Sequence, residues 1–370
     1  MSQKIFDGIF EGKTVLVTGH TGFIGSWLTL WLNHLGANVI GYSLNPPTNP
    51  SLFDILNFDN EVTNVISDIR DKDKLFETVK KYEPEFVFHL AAQSLVRYSY
   101  ENPLDTFEVN VLGTANVLEV LRFSPSVKVA LIMTSDKCYD NKINDHAHVE
   151  DDPMGGIDPY SASKGAAELI TSSYKHSFFD TSDDKISIST IRAGNILGGG
   201  DWAKDRIVPD CMRAWSKNEI VEIRSPNATR PWQHVLEPLS GYFALGQQLY
   251  SQENINGESF NFGPSAQHSH TVEDILKDMS QYWNIKDLSK GYQITDDIKF
   301  HEAGLLKLNC DKALFYLKWL PTLSYKEFID FTGSWYFNFY KSQMDMLDFT
   351  LSQIDEYEQI AAEKGIQWTK

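Results

Sequence analysis

Cysteine is scarce in this sequence, and no apolar run approaches the ~18 residues that a membrane span requires. The three cysteines, Cys138, Cys211 and Cys310, have spacings that suit neither a disulfide framework nor a zinc site. The opening residues, Met1 to Asp7, lack the apolar core of a secretory signal, so a cytoplasmic setting is expected. Basic residues are few: 33 Lys and Arg stand against 50 Asp and Glu, a formal net charge of −17. Such a field repels phosphate backbones and anionic surfaces, which argues against nucleic-acid and membrane partners. An anionic ligand would have to be met by cations placed locally. Repeats and low-complexity linkers are also lacking, so the parts of the chain are expected to interleave.

What is present suits a globular protein of roughly two domains: 370 residues, 42% apolar, with 22 Phe, 16 Tyr and 9 Trp. Thr14–Thr18 reads as a buried strand that runs into Gly19-His20-Thr21-Gly22-Phe23-Ile24-Gly25, followed by a helical pattern over 26–35. Glycines at this strand-to-helix junction permit a tight turn, close approach to a pyrophosphate and close packing of helix on strand. Strand, glycines and helix in that order predict a dinucleotide site. A second strand, 38–42, is followed by Ser43 and Leu44 rather than the acid that binds the adenosine ribose of NAD. No arginine stands there for a 2′-phosphate either, so NAD and NADP both remain open. Asp68 and Ile69 follow a short strand at 64–66, where Asp68 also reads as the N-cap of the next helix. A fourth strand, 86–90, ends at Leu90-Ala91-Ala92-Gln93, whose small side chains would let a cofactor lie close.

The fifth strand, 127–133, is apolar and then turns polar at Ser135-Asp136-Lys137. In open α/β sheets ligands bind at the carboxyl ends of the strands, so hydroxyl, carboxyl and amine at one tip suggest reaction chemistry. About 25 residues on, Tyr160 and Lys164 lie four apart at the start of a helix and so share one face. A lysine ammonium beside a phenol favours the phenolate, which would let Tyr160 act as a base near neutral pH. Asn110 lies within a predicted helix over 103–121. After a sixth strand, 186–192, the regular alternation weakens and arginines appear beside proline and aromatic residues, in 205–209 and 230–235. Arginine suits bidentate phosphate binding, and these cations in an acidic chain read as anion receptors. A strand and turn at 259–264 returns to the sheet, and helices are expected at 325–340 and 347–363.

Glycine turn, Ser135, Tyr160, Lys164 and Asn110 together resemble the short-chain dehydrogenase/reductase superfamily. That resemblance implies a Rossmann-type doubly wound parallel sheet in 1–192 with a return segment at about 232–263. The remaining 193–231 and 264–370 would form mainly a smaller, interleaved substrate-binding domain. It assigns Asp68 and Ile69 to the adenine, and Asn110 to holding the active-site lysine. Homodimerisation through helices at about 103–121 and 160–178, or a dimer of dimers, is a further implication.

Residues 134–141, Gly19 to Phe23, 89–93, Ala193-Gly194-Asn195, Gly198 to Trp202 and 230–235 resemble, more narrowly, the CDP-D-glucose 4,6-dehydratases. His301-Glu302-Ala303 and Gln353-Ile354 extend the match. Ile24 stands where that family usually has lysine, and Cys310 where aspartate is usual. The family reaction implies that Tyr160 takes the 4-hydroxyl proton as hydride passes from C4 to NAD, with Ser135 bonded to the same oxygen. Asp136 protonates the departing 6-hydroxyl, and hydride returns to C6. Lys137 would take the C5 proton, although a lysine is a poor base unless neutralised; otherwise it polarises the ketone. Substrate contacts are expected from Arg97, Asn195, Asp205 and Arg206, and from Arg230, Gln233 and His234. The product would feed deoxysugar and surface-polysaccharide biosynthesis. A sugar-nucleotide 4-epimerase, a dehydratase of another nucleotide hexose, and a non-catalytic dinucleotide sensor are the alternatives.

Overall fold

Short apolar segments rich in Val, Ile and Phe form one parallel sheet of seven strands: β1 (Thr14–Thr18), β2 (Asn38–Ser43), β3 (Val62–Ile66), β4 (Phe86–His89), β5 (Val129–Met133), β6 (Ser187–Ala193) and β7 (Ser259–Phe262). Their order across the sheet is β7-β6-β5-β4-β1-β2-β3. The structure, a computed structural model, describes residues 4–58, 61–140, 146–180, 186–251, 254–264, 270–285, 287, 290–295, 306–342 and 344–370. Asn141 and His301-Glu302-Ala303, which carried part of the resemblance, lie outside them.

The chain reverses direction across the sheet between β1 and β4, whose register pairs Thr18 with His89. A crevice opens at such a switch point beyond the carboxyl ends of the strands. The glycine turn follows β1 and Leu90 to Gln93 follow β4, so the two flank it. β5 pairs with β4 and β6, which brings Ser135 to Lys137 out at the same end of the sheet.

Helices cover both faces. Among them are α1 (Phe23–His34), α2 (Lys72–Tyr82), α3 (Gly113–Leu121), α4 (Pro159–Tyr174), α5 (Leu236–Tyr250), α6 (Tyr325–Lys341) and α7 (Met346–Glu363). Val87, Val117, Leu118, Ile132 and Ile188 fill one side of the sheet. Trp27, Trp31, Phe88, Phe243 and Trp335 lie in the larger cluster on the other. That cluster also takes in Tyr357 and Trp368, and Trp368 stacks on Phe6 at 4.9 Å, so the last residues pack against the first ones described.

The expected helix over 103–121 is helical throughout, with a wide π turn at Glu108–Leu112 that contains Asn110. The run 205–209, with its proline, enters a helix, Ile207–Ser216. Pro209 sits in its first turn, where a missing N–H costs nothing because no intrahelical acceptor is reached. No helix among the described residues is long and apolar enough to cross a membrane.

Candidate active site

Two of the three glycines in the opening turn are dictated by the protein's own packing. Gly19 has φ +78°, and a Cβ on it would stand 2.8 Å from the backbone nitrogen of Ala91. A Cβ on Gly25 would sit 2.1 Å from the Gly19 carbonyl oxygen. Gly22 differs: its φ of −79° is open to any residue, and a Cβ there would meet only the Gly19 oxygen, at 3.4 Å. Nothing in the protein requires that glycine, which leaves close approach of a ligand to the start of α1 as its reason. No side chain caps that start, so its first amides, at Phe23, Ile24 and Gly25, face outward as an anion site. Ile24 is half-buried against the core rather than presenting a cation.

Around this turn the predicted cofactor residues divide. Thr21 and Ser43 hydroxyls hydrogen-bond at 2.8 Å, and Thr21 also donates to the Leu44 carbonyl at 2.9 Å. His20 does not present its ring to the crevice. The imidazole fills the space left by Gly41, whose Cβ would lie 2.2 Å from it, and hydrogen-bonds to Asn64 at 3.0 Å. Burial lowers its pKa to about 4, so it is a neutral packing group. Asp68 is not the helix cap that its position suggested: Asp71 accepts the Lys74 amide at 2.9 Å in that role. Asp68 pairs with Arg70 at 2.6 Å, and Arg70 also meets Asp105 and Glu108. Ile69 is buried against Gly113, where a Cβ would come within 2.7 Å of it.

The β5 tip is closed and polar. Ser135 caps a short 3-10 turn, Asp136–Cys138, with its Oγ accepting the Lys137 amide at 3.2 Å and donating to Asp136 Oδ1 at 2.9 Å. Asp136 is 4% exposed, and burial pushes its carboxyl up despite the charge of Lys137. Gly194 lies directly over it: a Cβ there would be 1.9 Å from Oδ2. Lys137 is half-buried, and among the described residues its ammonium has no hydrogen-bond partner.

Asp158 caps α4, accepting the Ser161 amide at 2.9 Å, and so aims the first turn at this tip. Tyr160 is 8% exposed, with its phenol near Ser135 and in the field of Arg206. The expected lowering of its pKa by Lys164 does not occur in the protein alone. Burial of the phenolate is the larger effect and pushes Tyr160 up to about 12. Lys164, itself brought down to about 8 by burial, donates to the Met133 carbonyl at 3.3 Å. The Asn110 side chain meets Gln93 and Ser163. From the π turn its amide donates to the Gln93 carbonyl at 3.0 Å and Ser163 Oγ at 2.9 Å, while its oxygen accepts the Gln93 amide at 2.8 Å. It therefore fixes the segment after β4 to the helix, one residue from Lys164.

The substrate candidates fall into linked pairs. Arg97 meets Asp205 at 2.6 Å, and Arg206 meets Asp201 at 2.8 Å. Gln233 donates to the carbonyls of Gly194 (3.2 Å) and Phe262 (3.0 Å), and Asn195, with φ 50°, accepts the Gln233 amide at 3.2 Å. Arg230, Gln233 and His234 line a cavity with Trp232, His270 and Tyr325. His234 is enclosed between Trp27 and Phe331, and burial takes its pKa to about 3.

One group that the sequence pattern did not single out supports the whole tip. Glu168, one turn past Lys164 on α4, receives Nε and Nη2 of Arg192, both at 2.9 Å, together with the hydroxyls of Thr134 and, at 2.6 Å, Thr190. Arg192 also donates to Tyr139 Oη at 2.7 Å. A glutamate four residues beyond Lys164 and an arginine inside an apolar strand were the available signals.

Residues 16–332 match the family described as GDP-mannose 4,6 dehydratase. The CDP-glucose 4,6-dehydratase of Salmonella typhimurium is 44% identical over 351 residues, 94% of this chain and 97% of that protein. An epimerase structure from Methanothermobacter thermautotrophicus superposes with a TM-score of 0.75 at 26% identity, covering 92% of this chain and 96% of its own. A dTDP-glucose 4,6-dehydratase from Bacillus anthracis, solved with NAD, gives 0.72 at 19% identity over 88% and 96%, a likeness of fold.

Proposed function

As the chain belongs to the GDP-mannose 4,6 dehydratase family, we propose that it converts CDP-D-glucose to CDP-4-dehydro-6-deoxy-D-glucose and water, with NAD as resident cofactor. The observation that carries this reading is the grouping of Ser135, Asp136 and Lys137 at one strand tip, beneath the Tyr160 phenol. Hydride transfer at C4 uses Tyr160 and Ser135; elimination across C5 and C6 needs an acid and a base in addition.

The dinucleotide would lie along Gly19 to Gly25, with Thr21 and Ser43 toward the ribose, Asp68 and Ile69 toward the adenine, and Leu90 to Gln93, Tyr160 and Lys164 toward the nicotinamide. NAD supplies a hydride acceptor and donor, and its cationic ring favours the Tyr160 phenolate against burial. Arg70, beside the adenine candidates, is held by three carboxylates, which disfavours the 2′-phosphate of NADP. Gly22→Ala is expected to keep the thermal midpoint of the wild type while weakening NAD binding about tenfold, ~1.4 kcal/mol. Gly25→Ala, by contrast, should lower the midpoint, because its Cβ meets backbone. Thermal unfolding with NAD titration separates the two.

Tyr160 removes the 4-hydroxyl proton while Ser135 hydrogen-bonds that oxygen. The resulting ketone acidifies C5–H. Asp136, whose carboxyl burial pushes up, gives its proton to the departing 6-hydroxyl. Lys137 takes the C5 proton. Its place beside Asp136 at the strand tip supports this role, for which the amine must be neutral. Lys137→Met is expected to abolish exchange of the C5 proton with deuterated solvent; rapid exchange in that variant assigns the base elsewhere.

The substrate's diphosphate would meet Arg206 and Arg230, with Arg97 and Asp205 closing the entrance and Asn195, Gln233 and His234 shaping the inner wall. The 44% identity to a CDP-glucose enzyme over nearly the whole chain supports cytosine as the base. Product analysis with CDP-, dTDP-, GDP- and UDP-hexoses tests this: a 4-keto-6-deoxy sugar from CDP-glucose is expected, and preference for another base overturns the assignment.

The partner we assign is a second copy of the chain. Leu104 (76% exposed), Leu112 (57%) and Leu169 (64%) form an apolar surface on the segments leading to α3 and on α4. Sedimentation at twice the chain mass of 42.1 kDa is the expected result. A cytoplasmic location fits a nucleotide-sugar substrate and three unpaired cysteines.

A further inference from the structure

Under the dehydratase reading, on which the relay proposed here rests, one proton is left out of place after each turnover. Tyr160 gains the proton of the 4-hydroxyl. Asp136 loses one to the leaving water. The C5 proton goes to the base and returns to C5 as C6 is reduced. The cycle therefore ends with Tyr160 as phenol and Asp136 as carboxylate, whereas the next turnover needs phenolate and carboxylic acid. Charge is unchanged and nothing is oxidised or reduced: one proton must move from the phenol to the carboxylate.

We propose that Ser135 carries this proton. The Tyr160 O–H bond breaks as its proton joins Ser135 Oγ, and the proton that Ser135 held passes to Asp136 Oδ1. Ser135 Oγ already donates to Oδ1 at 2.9 Å and accepts the Lys137 amide at 3.2 Å. With its proton on Asp136 and one lone pair on the Lys137 amide, Ser135 keeps a second lone pair for the nearby Tyr160 phenol. Direct supply from water is hindered: Asp136 is 4% exposed, and the Gly194 backbone covers Oδ2. The other groups facing the pair are Lys137 and His148 around Asp136, and Asp158 and Arg206 around Tyr160. Ser135 is hydrogen-bonded to Asp136 and is the neighbour that acts on the Tyr160 phenol. His148 offers the competing route, since its Nδ1 hydrogen-bonds to Asp152 at 2.8 Å and its buried Nε2 has no partner.

The test is rapid-quench product formation by the NAD-loaded protein with excess CDP-glucose. Wild type and Ser135→Thr, which keeps the hydroxyl, should show no burst. In Ser135→Ala the first turnover is slowed by loss of the 4-hydroxyl contact. Later turnovers should be slower again, on the order of tenfold. The result is a burst of one product per site, and its slow phase should quicken as acetate buffer is raised at fixed pH. Equal rates for first and later turnovers in Ser135→Ala overturn the relay. So does a slow phase indifferent to buffer, which would mark product release, or a burst in His148→Gln instead. Absence of any 4-keto-6-deoxy product from the wild type is a different result, and refutes the dehydratase reading itself.

Discussion

Replacing Tyr160 by phenylalanine is expected to lower kcat by about 10²- to 10⁴-fold, the range for removing a general base, with substrate affinity changed little. The ring is buried against its surroundings and its amide is held by Ser99 at 3.2 Å, so phenylalanine keeps the packing. What is lost is the oxygen that meets Ser135. Burial outweighs the neighbouring groups and leaves the phenol up at about 12, so its use near neutral pH depends on a cation brought to it. The rate of 4-keto sugar formation, with substrate affinity measured separately, checks this. A Phe variant within tenfold of wild type would remove Tyr160 from the mechanism.

The largest stability effect is expected at Glu168. Burial favours its neutral form, yet the guanidinium of Arg192 and the hydroxyls of Thr134 and Thr190 hold the carboxyl below its ordinary range. A depressed carboxylate pKa contributes stability above the unfolded value and loses it as pH falls through the folded one. Glu168→Leu leaves Arg192 charged, buried and without its carboxylate, at a cost of about 3–5 kcal/mol. The double variant Glu168→Leu/Arg192→Leu should recover part of that loss, because it leaves no unpaired charge. Urea unfolding of the three proteins decides the matter. An unchanged midpoint in Glu168→Leu would mean that the cluster carries little of the fold.

The sheet was legible because its strands are continuous apolar runs, and the turn after β1 because three glycines stand at a strand-to-helix junction. A strand end marked Ser135 and a four-residue helical spacing paired Tyr160 with Lys164; the family resemblance joined the three. Side-chain direction was harder to read. His20 lies in a ligand-binding turn, but Gly41 on the neighbouring strand leaves a space that its ring fills. Asn110 lies in a π turn, where its side chain meets Gln93 and Ser163, and no local pattern announces such a turn. Pro209 does not break its helix, because the first helical turn accepts proline. Burial also reversed the direction of the Tyr160 shift, and burial depends on segments far apart in the chain, including Gly194 beyond β6.

Deuterium at C4 of CDP-glucose tests the central claim most directly, because dehydration moves that hydrogen within one molecule. The label is predicted at C6 of a CDP-4-dehydro-6-deoxyhexose after incubation with the NAD-loaded protein. Label retained at C4 of a second CDP-hexose would show epimerisation instead and contradict the account.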